Sequence, residues 1–456
     1  MVIGLNRIIN LSLVGIFSIF FLHLLFSLND FNFFVNFNLF QFTEGLRIIY
    51  ILGFDLISVI FIFLSGFLLL ICILFSWFIS YKGSWFMSLL CISFFILINV
   101  FGVTDLILFF FFFELLIVPM YLIIGIWGGR SRKIYAAYLF LLYTLLGSVL
   151  LLFAFVFIVM LTGSSNFEYL IGVLFCNLNQ TVIFLFIFFG LSVKIPIVPF
   201  HLWLPEAHVE APTAGSIILA GIVLKLGFYA FIRILFFCVN GWLISFVFVI
   251  FLIGFYFPSF SAISQVDIKK IIAYSSVSHM NFGMFGLFSK QLVGFVGSFF
   301  LMLGHAIVAS ALFLTIGTLY ERYKTRIIFY YSGLFFLMPL WSVSFFIFIL
   351  GNFGLPGTVN FVGELLILFS IFNFKVFLLF LMFIGLILTL GYSLFLYVRM
   401  VNGILIDKFI RYYCDLTRRE FILFVILIVG SLLYGILPQL WLDILFYPVY
   451  LIWFII

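Results

Sequence analysis

Charge is what this chain has least of. Only 8% of its 456 residues are Asp, Glu, Lys or Arg, and 67% are hydrophobic. A water-soluble surface needs far more charge than that, so a soluble domain is excluded. Long polar linkers are missing too, and nothing divides the chain into soluble modules. Its five cysteines, Cys72, Cys91, Cys176, Cys238 and Cys414, are scattered. They form no CxxC pair and no spacing suited to zinc or an iron–sulfur cluster, and they read as buried structural thiols. No GxGxxG turn follows a strand, so the chain has no dinucleotide fingerprint. The net charge of +6 resides largely in short clusters such as Arg130, Arg132, Lys133 and Arg322, Lys324, Arg326. Those clusters suit cationic loops on the inner side of a membrane and give nucleic-acid binding no support.

What remains is apolar sequence in runs long enough to cross a bilayer. A spanning helix needs about 20 mostly apolar residues. Such runs fall at 8–28, 55–80, 84–102, 105–128, 134–162, 181–206, 212–236, 242–262, 268–288, 292–320, 334–373, 376–401 and 420–437, with a last apolar stretch to 456. The chain therefore reads as an all-α polytopic membrane protein with about 13–14 transmembrane helices. The alternating pattern of a membrane β-barrel is absent. The N-terminal run has no small-residue cleavage site and is expected to be the first helix rather than a signal peptide. Residues 29–50, rich in Asn and Phe, read as an extramembrane loop, and 403–419 as an interfacial segment. Phenylalanine makes up 73 residues, an excess that suits an AT-rich, organelle-type coding genome.

Against this background each intramembrane charge stands out. Placing one at mid-bilayer costs roughly 2.5–3.5 kcal/mol on insertion scales, so such residues face the protein interior and serve ion or proton paths. Glu114 follows five consecutive phenylalanines, and Lys194 lies in FFGLSVKIPIVPF. A Glu–Lys pair whose separation varies can load or release a proton at the lysine; a static ion pair pinning two helices is the alternative. Lys225 lies mid-run, with Gly215, Ala220, Gly221 and Gly227 allowing close helix packing. Snorkelling to an interface is its alternative. His305, in FLMLGHAIVASALFL, can both accept and donate a proton near neutral pH. A histidine satisfied by Ser310 or Thr315 is the simpler reading of it. His279 is similar but is placed nearer the Lys269/Lys270 end. Glu364 follows the break at 351–357. In the segment HLWLPEAHVEAP (201–212), the spacing of His201, Glu206, His208 and Glu210 fits no metal motif and suits an interfacial turn or a proton-uptake route.

Two runs are broken. Pro196 and Pro199 remove helix donors directly after Lys194, and Gly351, Gly354, Pro356 and Gly357 interrupt the run that holds Glu364. Paired breaks in separate halves, each beside an ionisable group, are a mark of transporters built from inverted repeats.

The block VKIPIVPFHLWLPEAHVEAPTAGSIILAGIVLKLGFY (193–229) resembles the signature of the antiporter-like membrane subunits of respiratory complex I. FFFELLIVPMYLIIGIWG (111–128), DIKKIIAYSSVSHM (267–280), GHAIVASALF (304–313), LYER (319–322) and GLPGTVNFVGE (354–364) resemble it further, and GFDLIS (53–58) does so more loosely. The likeness extends over residues 53–401. It implies two inverted five-helix repeats, each with a discontinuous helix. It implies a proton relay of Glu114, Lys194, Lys225, His305 and Glu364, in which Glu114 and Lys194 are the coupling pair, Lys225 the central lysine and Glu364 the terminal group, where sister chains carry lysine. It also implies an organisation of 1–52 as N-terminal helix and loop, 53–401 as proton-translocating core, and 402–456 as C-terminal segment. One span precedes the 29–50 loop where the family usually has two, which leaves contacts of that region with accessory subunits open.

The resemblance further implies a subunit of a proton-translocating NADH:ubiquinone oxidoreductase. No redox centre is expected in this chain, with NADH, FMN, iron–sulfur clusters and ubiquinone held by partner subunits. Neighbouring antiporter-like chains, accessory subunits and membrane lipid are the expected partners, and the mitochondrial inner membrane the expected location, with a bacterial plasma membrane as alternative. A stand-alone multi-subunit cation/proton antiporter and a purely structural scaffold are the competing functions.

Overall fold

A computed structural model describes residues 10–19, 35–41, 49–171, 177–234, 241–404, 414–439, 441–443 and 445. The elements run α1 (Asn10–Ile19), β1 (Val35–Gln41), β2 (Ile49–Phe54), α2 (Leu56–Phe75), α3 (Gly83–Gly102), α4 (Leu106–Leu115), α5 (Ile117–Trp127), α6 (Lys133–Thr162), α7 (Phe167–Ile171), α8 (Asn177–Lys194), α9 (Trp203–Glu210), α10 (Thr213–Ile218), α11 (Leu224–Ile234), α12 (Gly241–Ser264), α13 (Ile268–Phe288), α14 (Leu292–Tyr323), α15 (Leu334–Leu337), α16 (Pro339–Asn352), α17 (Val359–Phe374), α18 (Val376–Val401) and α19 (Arg418–Ile436). Among the described residues, nine helical spans are long and apolar enough to cross a membrane, with α4–α5 forming one and α10–α11 another. The broken pairs α8–α9 and α16–α17, together with α13 and α1, account for most of the remaining expected spans. The stretch beyond 445 and most of 403–419 lie outside the described residues.

One element departs from the sequence reading. The 29–50 segment is not simply a loop, because β1 and β2 pair antiparallel from Val35↔Phe54 to Gln41↔Ile49. The sequence VNFNLFQ alternates apolar and polar residues for most of its length, a strand period hidden by its loop-like composition. β2 runs across the 52/53 boundary drawn from sequence. At its end Asp55 caps α2 through a reciprocal box with Ser58, each bond 2.9 Å. The thiols also differ from expectation. Cys72 is buried and Cys91 half-buried, but Cys414 is exposed because it lies in the connection between α18 and α19; Cys176 and Cys238 lie outside the described residues.

α14 is the axis of the bundle. Its apolar window is 100% buried and that of α10–α11 94%, against 28% for each of α18 and α19 at the edge. α14 packs against α10, α13, α16, α17 and α19. The approach of α17 depends on Gly363, where a Cβ would stand 2.6 Å from the Leu301 nitrogen. Backbones that close leave room for no larger residue.

Both predicted breaks are present, and each has its own carpentry. α8 stops at Lys194. The Val193 carbonyl, which an unbroken helix would bond to residue 197, accepts instead from Trp203 Nε1 at 2.8 Å. The Pro196 carbonyl accepts from Asn281 Nδ2 at 3.3 Å. At the second break, Asn360 Nδ2 donates to the Gly351 carbonyl at 2.9 Å. Irregular backbone at membrane depth is tolerated when protein satisfies it in this way. Two further irregularities were not foreseen. Leu116 separates α4 from α5 just after Glu114, one turn before Pro119, and residues Leu219–Val223 form a π-helical turn directly before Lys225. π-turns inside α-helices are frequent at functional sites.

Most loop cations gather at one end of the bundle. Lys82, Arg130, Arg132, Lys270, Arg322, Lys324, Arg418 and Arg419 lie at the ends of α2–α3, α5–α6, α12–α13, α14–α15 and α18–α19 that share this side. The positive-inside bias turns this basic end toward the inner compartment.

Candidate functional site

All five residues singled out from sequence are in the described region, and the structure arranges them in two groups. In the first, Lys194 Nζ is 3.7 Å from Glu114 Oε1. Its ammonium donates to the Phe113 carbonyl at 2.9 Å and stands 3.5 Å from the centre of the Phe113 ring. The lysine serves α4 rather than the carbonyls of its own break, two of which bond Trp203 and Asn281. Lys194 also ends the half-helix α8, where the helix dipole favours a cation. The pair is loose. Neither Glu114 oxygen has a hydrogen bond within the protein.

The second group starts at Lys225, which is fully buried at 0% exposure, so snorkelling is ruled out. Its Nζ donates to the Ala220 carbonyl in the π-turn at 2.6 Å and lies 2.8 Å from His305 Nδ1. His305 therefore is not satisfied by a hydroxyl; Ser310 and Thr315 donate to carbonyls of their own helix. The His279 ring is 5.7 Å from the His305 ring, centre to centre, and His279 Nδ1 is 3.7 Å from Glu364 Oε1. Lys225, His305, His279 and Glu364 thus follow one another on α11, α14, α13 and α17. Every member is buried. Such a succession can hand a proton along short steps without exposing it to lipid.

His279 is the residue that sequence reasoning underrated. It sits ten residues past Lys269, about 15 Å along the helix at 1.5 Å per residue, and so lies at depth rather than near the basic end. Glu364 is seated by Gly354, whose φ of +70° places its backbone against the carboxylate; a Cβ there would collide with Glu364 Oε2. Between the two groups no hydrogen bond joins Lys194 to Lys225 among the described residues. Their helices touch, with Ile195 packed on Gly227.

Within the segment 201–212, residues 203–210 form α9, which carries two ion pairs. Lys270 Nζ meets Glu206 at 2.6 Å, half-exposed, while buried Arg326 is 3.5 Å from Glu210 and also donates to the Val209 carbonyl. Lys269 Nζ donates to the Ala211 carbonyl at 3.0 Å. Two cations thereby close the negative end of the second half-helix.

Residues 103–389 match the family model described as NADH:quinone oxidoreductase/Mrp antiporter, TM. The NADH-ubiquinone oxidoreductase chain 4 of Marchantia polymorpha is 46% identical over 416 residues, covering 89% of this chain and 84% of the relative. Among solved structures, a chain of respiratory complex I from Thermus thermophilus with bound NADH superposes with a TM-score of 0.89 at 24% identity, covering 98% of this chain and 95% of that one. A chain of the Mrp complex from Dietzia sp. DQ12-45-1b gives 0.90 at 21%, covering 99% and 93%. At those identities the two structures establish the fold alone, which both kinds of complex share; the sequence likeness is what chooses between them. This chain belongs to the antiporter-like membrane subunits of respiratory complex I, on the NADH–ubiquinone oxidoreductase chain 4 branch.

Proposed function

We propose that this chain translocates protons across the inner membrane as a multi-pass subunit of the complex I membrane arm, driven by electron transfer from NADH to ubiquinone in partner subunits. The observation that carries the reading is the buried succession Lys225–His305–His279–Glu364, with Glu114–Lys194 beside it. A scaffold has no use for six titratable side chains in its interior. Neighbouring antiporter-like chains and accessory subunits surround it, and NADH, FMN, iron–sulfur clusters and ubiquinone belong to other subunits of the complex. Breaks beside Lys194 and Glu364 support a pair of inverted repeats, and the core spans 53–401.

Each residue then has a task. Lys225 and His305 share one proton across 2.8 Å. A change in the Glu114–Lys194 separation alters the field at Lys225 through the α8–α11 contact. His279 passes the proton to Glu364, which releases it. Lys225→Ala in the intact complex should assemble and lose NADH-driven proton uptake. Normal uptake would refute the relay. The fold shared with the Mrp complex keeps a cation/proton antiporter as second reading. On a native gel the chain should migrate with NADH dehydrogenase activity; migration apart from it would favour the antiporter.

A further inference from the structure

Between α2 and α19, over α14, runs a groove of about 230 Å³. Its walls are apolar: Leu64 and Phe67 of α2, Leu303 and Ile307 of α14, Val429 and Gly430 of α19. Leu303 and Ile307 stand two residues either side of His305, so an empty groove leaves that turn of α14 without packing atoms on one side. A helix with its side chains is about 10–12 Å across, too thick for that volume. A single acyl chain is not. Toward the basic end the same two helices finish in cations and aromatic rings. Arg419, in the first turn of α19, lies over the Phe78 ring at 4.5 Å, which joins the ends of α2 and α19. Phe78, Tyr81 and Trp85 are exposed at 79%, 62% and 66%, as befits aromatic side chains at headgroup level. Arg418 is exposed beside Arg419, and Lys82 is exposed in the connection between α2 and α3. Among the described residues none of these three cations is in an ion pair, although Glu321 lies within electrostatic reach of Arg419. Glu420, next in sequence, is taken by Arg322. The depth of the groove fits the position of the cations. Gly430 is eleven residues from Arg419, and Phe67 eleven from Phe78. Either distance is about 16 Å along its helix, half of a hydrocarbon core about 30 Å thick.

We infer that this seam binds one anionic phospholipid of the inner leaflet, its phosphate at Arg418 and Arg419 and one acyl chain in the groove against α14. Guanidinium groups suit phosphate oxygens, which accept charge-assisted hydrogen bonds from them. A zwitterionic headgroup brings its own cation up to the arginines, so the site prefers a headgroup with net negative charge. The chain descends one leaflet along the seam and ends between Phe67 and Gly430, where it packs on Ile307. The lipid thereby completes the wall of the helix that carries His305, whatever that histidine does.

The test uses the intact complex in nanodiscs of phosphatidylcholine. A trace of phosphatidylglycerol or of phosphatidylcholine is added, each with a photoreactive diazirine at the end of one acyl chain, and the labelled peptides are mapped. Phosphatidylglycerol should label the groove segments of α2, α14 and α19 on the order of tenfold more than phosphatidylcholine does, at about fivefold per arginine less the competition of bulk lipid. Arg418→Gln together with Arg419→Gln should bring the two probes level. Gly430→Leu, which grows toward Ile307 from 4.0 Å, should remove the label from α14. Equal labelling by the two lipids in the wild-type complex overturns the site, and that comparison decides alone if the variants fail to assemble. A phosphatidylglycerol preference that survives loss of both arginines, or a label on α14 that survives Gly430→Leu, overturns it as well. Absence of any label in the groove means that a protein partner covers the seam, and overturns it too.

Discussion

At the scale of single residues, the interior is organised by how many partners each charge has. Lys194 has a carbonyl, a ring face and a distant carboxylate, whereas Glu114 has the lysine and the nearby Ser148 hydroxyl. The two are therefore not equivalent on removal. Glu114→Gln leaves Lys194 bonded to Phe113 and should cost about 1 kcal/mol. Lys194→Met leaves a buried carboxylate without a cation and should cost about 3 kcal/mol or more. Thermal denaturation of the purified complex measures both; equal midpoint shifts would contradict the asymmetry. Lys225, His305 and Glu364 stood out in the sequence because a charge or imidazole inside an apolar run is costly unless it faces the protein interior. His279 did not, since two lysines on the same helix gave it a surface-like neighbourhood in sequence.

At the scale of elements, the breaks matter more than the helices they interrupt. Trp203 closes the first break, packing its ring on Phe140 at 5.4 Å while its indole bonds the Val193 carbonyl. Trp203→Phe keeps the packing and loses the bond, so it should destabilise the chain by about 1–3 kcal/mol. No change in denaturation midpoint would mean that Val193 finds another donor. Gly354 shapes the second break. Gly354→Ala strains a left-handed residue and pushes on the Glu364 carboxylate. Its expected signature is lost proton flux in a complex that still assembles, and flux equal to wild type would show that Glu364 tolerates displacement. Proline and glycine announced both breaks in the sequence. The π-turn at Leu219–Val223 had no such marker, because one surplus residue in GSIILAGIV changes neither composition nor hydropathy. The hairpin was marked by its alternation and masked by its asparagines.

At the scale of the whole molecule, two ion pairs of similar length differ in what they hold. Arg233 Nη2 meets Asp55 at 2.7 Å where α11 ends on the cap of α2, both side chains largely buried, and Arg233 also bonds Tyr229. Lys270–Glu206, at 2.6 Å, is open to water at the basic end. Asp55→Ala removes a cap and strands the arginine, a loss of about 3 kcal/mol. Lys270→Ala should cost no more than about 1 kcal/mol. The reverse order in a denaturation experiment would mean that the hairpin end contributes little to the bundle. The central claim, however, is that the buried succession ends in proton release at Glu364. It is tested most directly by the number of protons translocated per NADH oxidised in vesicles that contain the intact complex with Glu364→Gln. Glutamine keeps the shape and the hydrogen bonding but cannot release a proton. The account predicts an assembled complex in which that ratio falls; a wild-type ratio would contradict it.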